Sequence, residues 1–406
     1  MVRPEDAGLS SERLARIDDH LKQRYVDPGK IAGALTLVWR RGQLAWLSPI
    51  GLMDRERGRP MSEDVIFRIY SMSKPITSVA LMQLHERAAF ALTDPVHKYI
   101  PEWRDLRVFE AGSFPRFLTK PCRRPMTVQD LLRHTSGLTY GFMHRSNVDH
   151  AYRKLGIGNL ERYDGTLAEM CSQLARLPLE FSPGEAWNYS VSTDVCGHLV
   201  ERISGEPLDA YLRRHLFEPL GMVDTGFQVP AGEAQRLAAC YERAPDKRTR
   251  LQDDPERSPY LAPPRFLSGG GGLVSTAADY LRFCRMLAGG GELDGARILG
   301  RKTLELMTRN HLPGGRDLAE TALGWFAETP YAGVGFGLGF SVQLDCTKSG
   351  VAGSEGEFAW GGAASTAFWV DPAEELIVIF LTQLMPSRTF DFRGQLKSIV
   401  YGAILD

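Results

Sequence analysis

The period of the apolar positions changes twice along the chain. Leu14, Ile17 and Leu21 share one face of a helix that Ser10 or Ser11 can cap and that runs to about Tyr25. Residues 32–40 then pattern as a strand, Arg41-Gly42 as a turn, and residues 43–47 as the returning strand. A short strand at 65–69 follows. Beyond it the spacing becomes helical: Val79, Leu81, Met82 and Leu84 mark a mostly buried helix over 78–87. Further helices are predicted over 127–134, 166–177, 194–203 and 208–216, joined by loops rich in proline and glycine. Thr127-x-x-Asp130 has the form of a capping box with Asp in place of Glu or Gln. Strand patterning returns at 335–344, 358–361, 365–370 and 376–382, and residues 390–404 close the chain as a helix.

Strands at both ends with helices between them predict one mixed sheet built from both termini, and an inserted helical domain. The expected division is an α/β (α+β) sheet-containing domain of residues 1–70 plus 267–406, and a mainly helical domain of residues 71–266. A cleft is expected at their junction. The 406 residues are enough for two such intimately joined units.

Composition narrows the function classes. A net charge of −1 with both signs interspersed offers no electrostatic footprint for nucleic acid or an anionic membrane. The longest apolar run, residues 376–381, is too short to span a bilayer. The first residues, Met1-Val2-Arg3-Pro4-Glu5-Asp6, lack the basic-then-apolar pattern of a secretory signal, so a cytoplasmic location is expected. Six scattered cysteines form no Cys-x-x-Cys pair, and no His-Glu-x-x-His or tight His/Asp/Glu cluster occurs; neither a disulfide framework nor a metal is expected. The glycines at 269–272 and 333–339 fit no phosphate-binding fingerprint and read as a loop and a close-packed strand. Ser275-Thr276-x-x-Asp279 after the first of them is a helix cap.

The chemistry centres on Phe67-Arg68-Ile69-Tyr70-Ser71-Met72-Ser73-Lys74-Pro75. Pro75 must lie in the first turn of its helix, which places Ser71 at or just before the helix start, where free N–H groups favour a developing anion. Ser71 and Lys74 are spaced to meet on one side of a turn. Ser71 is the only serine with lysine three places on. A chain of this size holds about one such pair by chance, so its company must carry the reading. No serine sits in Gly-x-Ser-x-Gly, which argues against an α/β-hydrolase. His134, in Leu132-Arg133-His134-Thr135-Ser136-Gly137-Leu138, ends a helix and is expected to bond its terminal carbonyls. Lysine is then the base on offer, provided that desolvation or a neighbouring cation lowers its pKa. Tyr189, in Trp187-Asn188-Tyr189-Ser190-Val191, can share that task. Trp360-Gly361-Gly362-Ala363 ends a strand in small residues, letting a substrate lie against backbone N–H groups.

Together, Ser71-Met72-Ser73-Lys74, Tyr189-Ser190-Val191 and Trp360-Gly361-Gly362 resemble the three motifs of penicillin-recognising serine hydrolases. The resemblance is to the serine β-lactamase-like, penicillin-binding-protein-like family, in its class C branch and closest to the family VIII carboxylesterases. Phe181-Ser182-Pro183-Gly184, Phe368-Trp369-Val370-Asp371-Pro372 and the stretch around His134 share it. It implies a β-lactamase/transpeptidase-like fold, an antiparallel sheet flanked by helices. It makes Ser71 the acylated nucleophile, Lys74 and Tyr189 its base pair, and the backbone N–H groups of Ser71 and Ala363 the oxyanion hole. No cofactor is implied. Two positions depart from the β-lactamase pattern: Val191 stands where an asparagine is common, and Trp360-Gly361-Gly362 stands where Lys-Thr-Gly is usual. Loss of that cation removes recognition of an acidic lactam, and an aromatic wall suits a neutral, compact acyl group. The expected activity is hydrolysis of short-chain carboxylic esters, a small-molecule substrate. The alternatives are a β-lactamase or D-peptide hydrolase, an acyltransferase, or a catalytically silent binding or sensing protein, which the intact Ser71, Lys74 and Tyr189 disfavour. Trp360, Gly361, Gly362, Tyr140 and Trp187 are the expected substrate-contacting residues. Residues 105–125 and 140–165 are expected to border the cleft.

Overall fold

A computed structural model describes residues 1–159, 163–324 and 331–406. Its main sheet has eight strands: β1 (Gly33–Arg40), β2 (Gln43–Asp54), β3 (Arg59–Pro60), β4 (Val334–Phe336), β5 (Ser341–Gln343), β6 (Phe358–Gly361), β7 (Ala367–Asp371) and β8 (Leu376–Thr382). They lie in the order β4-β5-β6-β7-β8-β1-β2-β3, with every neighbour antiparallel. The two ends of the chain therefore meet at β1 and β8, paired from Ala34↔Thr382 to Arg40↔Leu376. The sheet is antiparallel throughout rather than mixed, because its strands connect through turns and short loops except where the long central segment intervenes.

Side-chain alternation assigns the two faces. Leu35, Leu37, Phe358, Trp360, Phe368, Val370, Ile377 and Ile379 join the largest apolar cluster, shared with the helices of the middle of the chain. Ala34, Val38, Trp369, Leu376, Val378 and Phe380 join a second cluster with Leu14, Ile17 and Leu21 and with Phe392, Leu396 and Val400 of the closing helix. Because both faces are covered, β8 is apolar at nearly every position instead of alternating.

Four helices position the site: α1 (Ser73–Glu86), α2 (Ser192–Ser204), α3 (Ala277–Ala288) and α4 (Phe392–Tyr401). Residues 73 to 84 of α1 are all buried, polar ones included. Thr127 and Asp130 form the expected capping box, with Asp130 N donating to Thr127 Oγ1 at 3.3 Å and Thr127 N to Asp130 Oδ2 at 3.0 Å. Asp279 N likewise donates to Thr276 Oγ1 at 3.2 Å, and the cap there opens the whole of α3.

Several elements differ from expectation. The first helix is three consecutive pieces, Ser11–Leu14, Arg16–Leu21 and a wider-wound Lys22–Val26. The strand at 43–47 continues to Asp54. Residues 335–344 form not one strand but the hairpin β4–β5, turned where Gly337 N donates to Phe340 O at 2.8 Å and Gly339 takes φ +100°. The strand at 65–69 shortens to Phe67–Arg68 and pairs with Val274–Ser275, outside the main sheet. The helical middle also contains two hairpins, Arg107–Ser113 with Arg116–Pro121 and Cys240–Arg243 with Thr249–Asp253. The first is largely exposed on both faces, so no apolar alternation announces it. None of the six cysteines forms a disulfide. Among the described residues no helix is long and apolar enough to cross a membrane.

Ile379, fully buried on the inner face of β8, tests how tightly the central strand is packed. Ile379→Ala is expected to cost about 2–5 kcal/mol, read as a lower urea midpoint; an unchanged midpoint would contradict the packing described.

Candidate active site

The turn that carries Ser71 is built by strain and by a helix start. Tyr70 takes φ +42°, a left-handed conformation uncommon outside glycine and asparagine, and opens a single 3₁₀ turn over Tyr70–Met72. Met72 N closes the turn on Ile69 O at 3.0 Å. α1 begins at Ser73, so Ser71 lies just ahead of the helix and Pro75 falls in the first turn, as its chemistry requires.

Lys74 is 1% exposed, with its amine held at three oxygens. Nζ lies 3.3 Å from Ser71 Oγ, 3.0 Å from Tyr140 OH and 2.7 Å from Gly270 O. Burial lowers its pKa to about 7, against a partial restoring pull from the Asp194 charge. Neutral Lys74 has two N–H bonds and one lone pair. With Gly270 O and Tyr140 OH accepting the two hydrogens, the lone pair is left for the Ser71 hydroxyl.

Tyr189 reaches the same atom from the loop before α2. Its OH donates to Ser71 Oγ at 2.6 Å, and its ring centroid lies 4.5 Å from Lys74 Nζ. Burial pushes the phenol up, with the Ser71 hydroxyl and the Trp360 indole opposing. The two groups are thus poised differently: a neutral Lys74 amine can accept a proton near pH 7, whereas the Tyr189 phenol stays protonated.

His134 supports this arrangement without touching Ser71. It is buried, with φ +58°, and its Nδ1 pairs with Ser190 Oγ at 3.2 Å instead of bonding helix-end carbonyls. A chain of hydroxyls continues from Ser190 to Ser192 and Ser136, each step 2.7 Å. Burial first, and the Lys74 cation second, push the His134 pKa well down, so the ring is neutral and packs 5.0 Å from that of Tyr189.

The third motif closes the site. Trp360 packs on Tyr189 at 5.5 Å between centroids and edge-on to Phe336 at 5.2 Å. A Cβ on Gly362 would collide with the Ile69 carbonyl oxygen and with Thr366 Oγ1, so this glycine lets the strand end abut the turn that carries Ser71. A Cβ on Gly361 would collide with the Arg393 guanidinium of α4. The motif itself supplies no cation, but a neighbouring element brings one beside it, which residue types at the motif could not reveal.

The expected pocket residues separate. Trp187 and Trp360 line one narrow cavity with Leu318, Tyr331, Val334 and Arg393. Tyr140, expected on the substrate wall, has its hydroxyl on Lys74, while the exposed Phe142 stacks on its ring at 4.6 Å. Residues 160–162 of the expected bordering loop lie outside the described residues. The residues missed by sequence reasoning are Gly270, whose backbone carbonyl orients Lys74, and Asp194, whose Oδ1 accepts from Gly270 N at 3.0 Å. The run of glycines at 269–272 was the available signal.

A serine at a helix entrance against the end of an antiparallel strand, with lysine and tyrosine on its one side-chain oxygen, is the arrangement of a β-lactamase/transpeptidase-like fold. The Beta-lactamase family model matches residues 19–399, and the chain belongs to that family of serine hydrolases. It is 34% identical over 392 residues to esterase EstB of Burkholderia gladioli, covering 93% of this chain and 91% of that one. An uncharacterized protein of Mycobacterium tuberculosis is 40% identical over 369 residues, covering 90% and 89%. Among solved structures, EstCE1, a hydrolase with promiscuous acyltransferase activity, superposes with a TM-score of 0.80 at 28% identity, covering 96% and 99%.

Gly362→Ala is expected to lower both thermal stability and hydrolase activity, the latter at least about tenfold, because the collision partners are backbone and a buried hydroxyl. Turnover at the wild-type level would show that the strand end does not need its close approach.

Proposed function

We propose that the protein hydrolyses short-chain carboxylic esters through an acyl-enzyme on Ser71. The observation that carries this reading is the placement of Ser71 Oγ 3.3 Å from the buried Lys74 amine and 2.6 Å from the Tyr189 phenol. Lys74 accepts the Ser71 proton as Oγ adds to the ester carbonyl. The backbone N–H groups of Ser71 and Ala363 take the oxyanion. Tyr189 delivers a proton to the departing alkoxide and is replenished from Lys74, so the proton lost by Ser71 leaves with the alcohol. Water then attacks the acyl-enzyme by the same route in reverse. Trp360, packed on Tyr189 at 5.5 Å, gives the site an aromatic wall that suits a small apolar acyl group, and the similarity to the esterase EstB supports ester chemistry.

Two observations favour neighbouring readings on the same residues. Arg393 beside Gly361 offers a guanidinium to a substrate carboxylate, as a lactam or D-peptide would carry. The promiscuous acyl transfer of EstCE1 suggests an alcohol as an acceptor competing with water. Hydrolysis of a cephalosporin, and ester formation with added alcohol, separate these from simple esters.

The test is hydrolysis of p-nitrophenyl butyrate by the wild type and Ser71→Ala. The variant is expected to lose more than about a thousandfold in kcat; equal rates would remove Ser71 from the mechanism. Only neutral Lys74 can accept the proton. In the wild type, kcat/KM is therefore expected to fall as the pH drops through about 7. A flat profile across that range would contradict Lys74 as base.

A further inference from the structure

The glycine run at 269–272 passes between α1 and α2 at a place where no larger residue fits. A Cβ on Gly269 would lie 2.9 Å from Thr193 O and 2.9 Å from Thr77 Cγ2; one on Gly270 would lie 2.8 Å from Asp194 Oδ2. Both helices hold this segment. From α1, Lys74 Nζ donates to Gly270 O at 2.7 Å and Thr77 Oγ1 to Gly269 O at 2.8 Å. On the α2 side, Asp194 Oδ1 accepts from Gly270 N at 3.0 Å and from Ser268 Oγ at 2.5 Å.

Asp194 is 1% exposed and sits in the first turn of α2, where the helix dipole and two donors favour its carboxylate. The catalytic steps do not use it, and a carboxylate buried this deeply is costly without compensation. The titratable groups facing Lys74 among the described residues are Tyr140, Tyr189, His134 and Asp194. Burial keeps both phenols protonated and the imidazole neutral. Asp194 is the one that answers the positive charge formed when Lys74 takes the Ser71 proton.

We propose that Asp194 is a positioning residue that, through the turn at 268–270, fixes the Lys74 amine on Ser71 and sustains its strength as a base. The proposal rests on Lys74 acting as the base in ester hydrolysis. Burial raises the Asp194 carboxyl and is opposed first by Lys74, then by the Ser268 hydroxyl and Gly270 N–H, which is the reciprocal of the pull that Lys74 receives.

The experiment is the pH profile of kcat/KM for p-nitrophenyl butyrate in the wild type, Asp194→Asn and Asp194→Ser, with circular dichroism to show that each variant is folded. Both replacements remove the charge, while only Asn keeps an acceptor of the same reach. The expected result is an acid limb moved about one pH unit lower in either folded variant, a tenfold gain in the fraction of neutral lysine on the acid side. A lower plateau accompanies it, since a weaker base removes the Ser71 proton more slowly. A folded variant whose limb stays at the wild-type position, whatever its plateau, overturns the proposal; so does failure of both variants to fold, which would assign Asp194 to the fold alone. Loss of the Ser71 dependence of hydrolysis would strike the esterase reading instead, and is read from a different variant.

Discussion

The site depends on removing one ammonium from water. Lys74 is buried in a helix whose first three turns are buried all round, and this desolvation is what brings its pKa to about 7. The condition has a cost that linkage gives a sign. Its folded pKa is depressed from the ordinary 10.5, so the penalty is full below about 7 and is relieved as the pH rises from there towards 10.5. Three oxygens around the amine limit the cost and also direct it. Because Gly270 O and Tyr140 OH occupy two of its directions, the remaining one faces Ser71.

Everything else near the site serves close approach. The Tyr70 backbone accepts a left-handed conformation so that Ser71 stands ahead of α1. Gly362 lets β6 meet the Ile69 carbonyl, and Gly269 and Gly270 let a loop run between two helices. The sheet is rigid because both faces are covered, the inner by the helices of the middle of the chain and the outer by the two termini. A strand end fixed in this way stays at a constant distance from the turn that carries Ser71, which the proposed oxyanion stabilisation by backbone N–H groups would require.

The motifs were legible because they are made of side chains with distinctive chemistry at short spacing. Ser71, Lys74 and Tyr189 could be named from the chain, and the structure brings all three together. The sheet built from both termini was legible for a similar reason, since β1 and β8 have unmistakable apolar patterns. What escaped was carried by backbone or by distance. Gly270 acts through a carbonyl that every residue type possesses, and Arg393 arrives from the last helix to lie beside Gly361. Tyr140 was named as a substrate contact, but that its hydroxyl also lies on the Lys74 amine could not be read from its position in the chain. The hairpin at Arg107–Pro121 has too little burial to impose a pattern, and the Gly337–Gly339 turn hides inside an apolar stretch whose glycines also fit a close-packed strand.

The most direct test of the central claim is to look for the intermediate itself. The protein would be mixed with p-nitrophenyl butyrate, quenched in acid within the turnover time, and its proteolytic peptides weighed. One butyryl group is expected on the peptide carrying Ser71, located by fragmentation to that serine. A butyryl group on another residue, or no covalent species while hydrolysis proceeds, would contradict that claim.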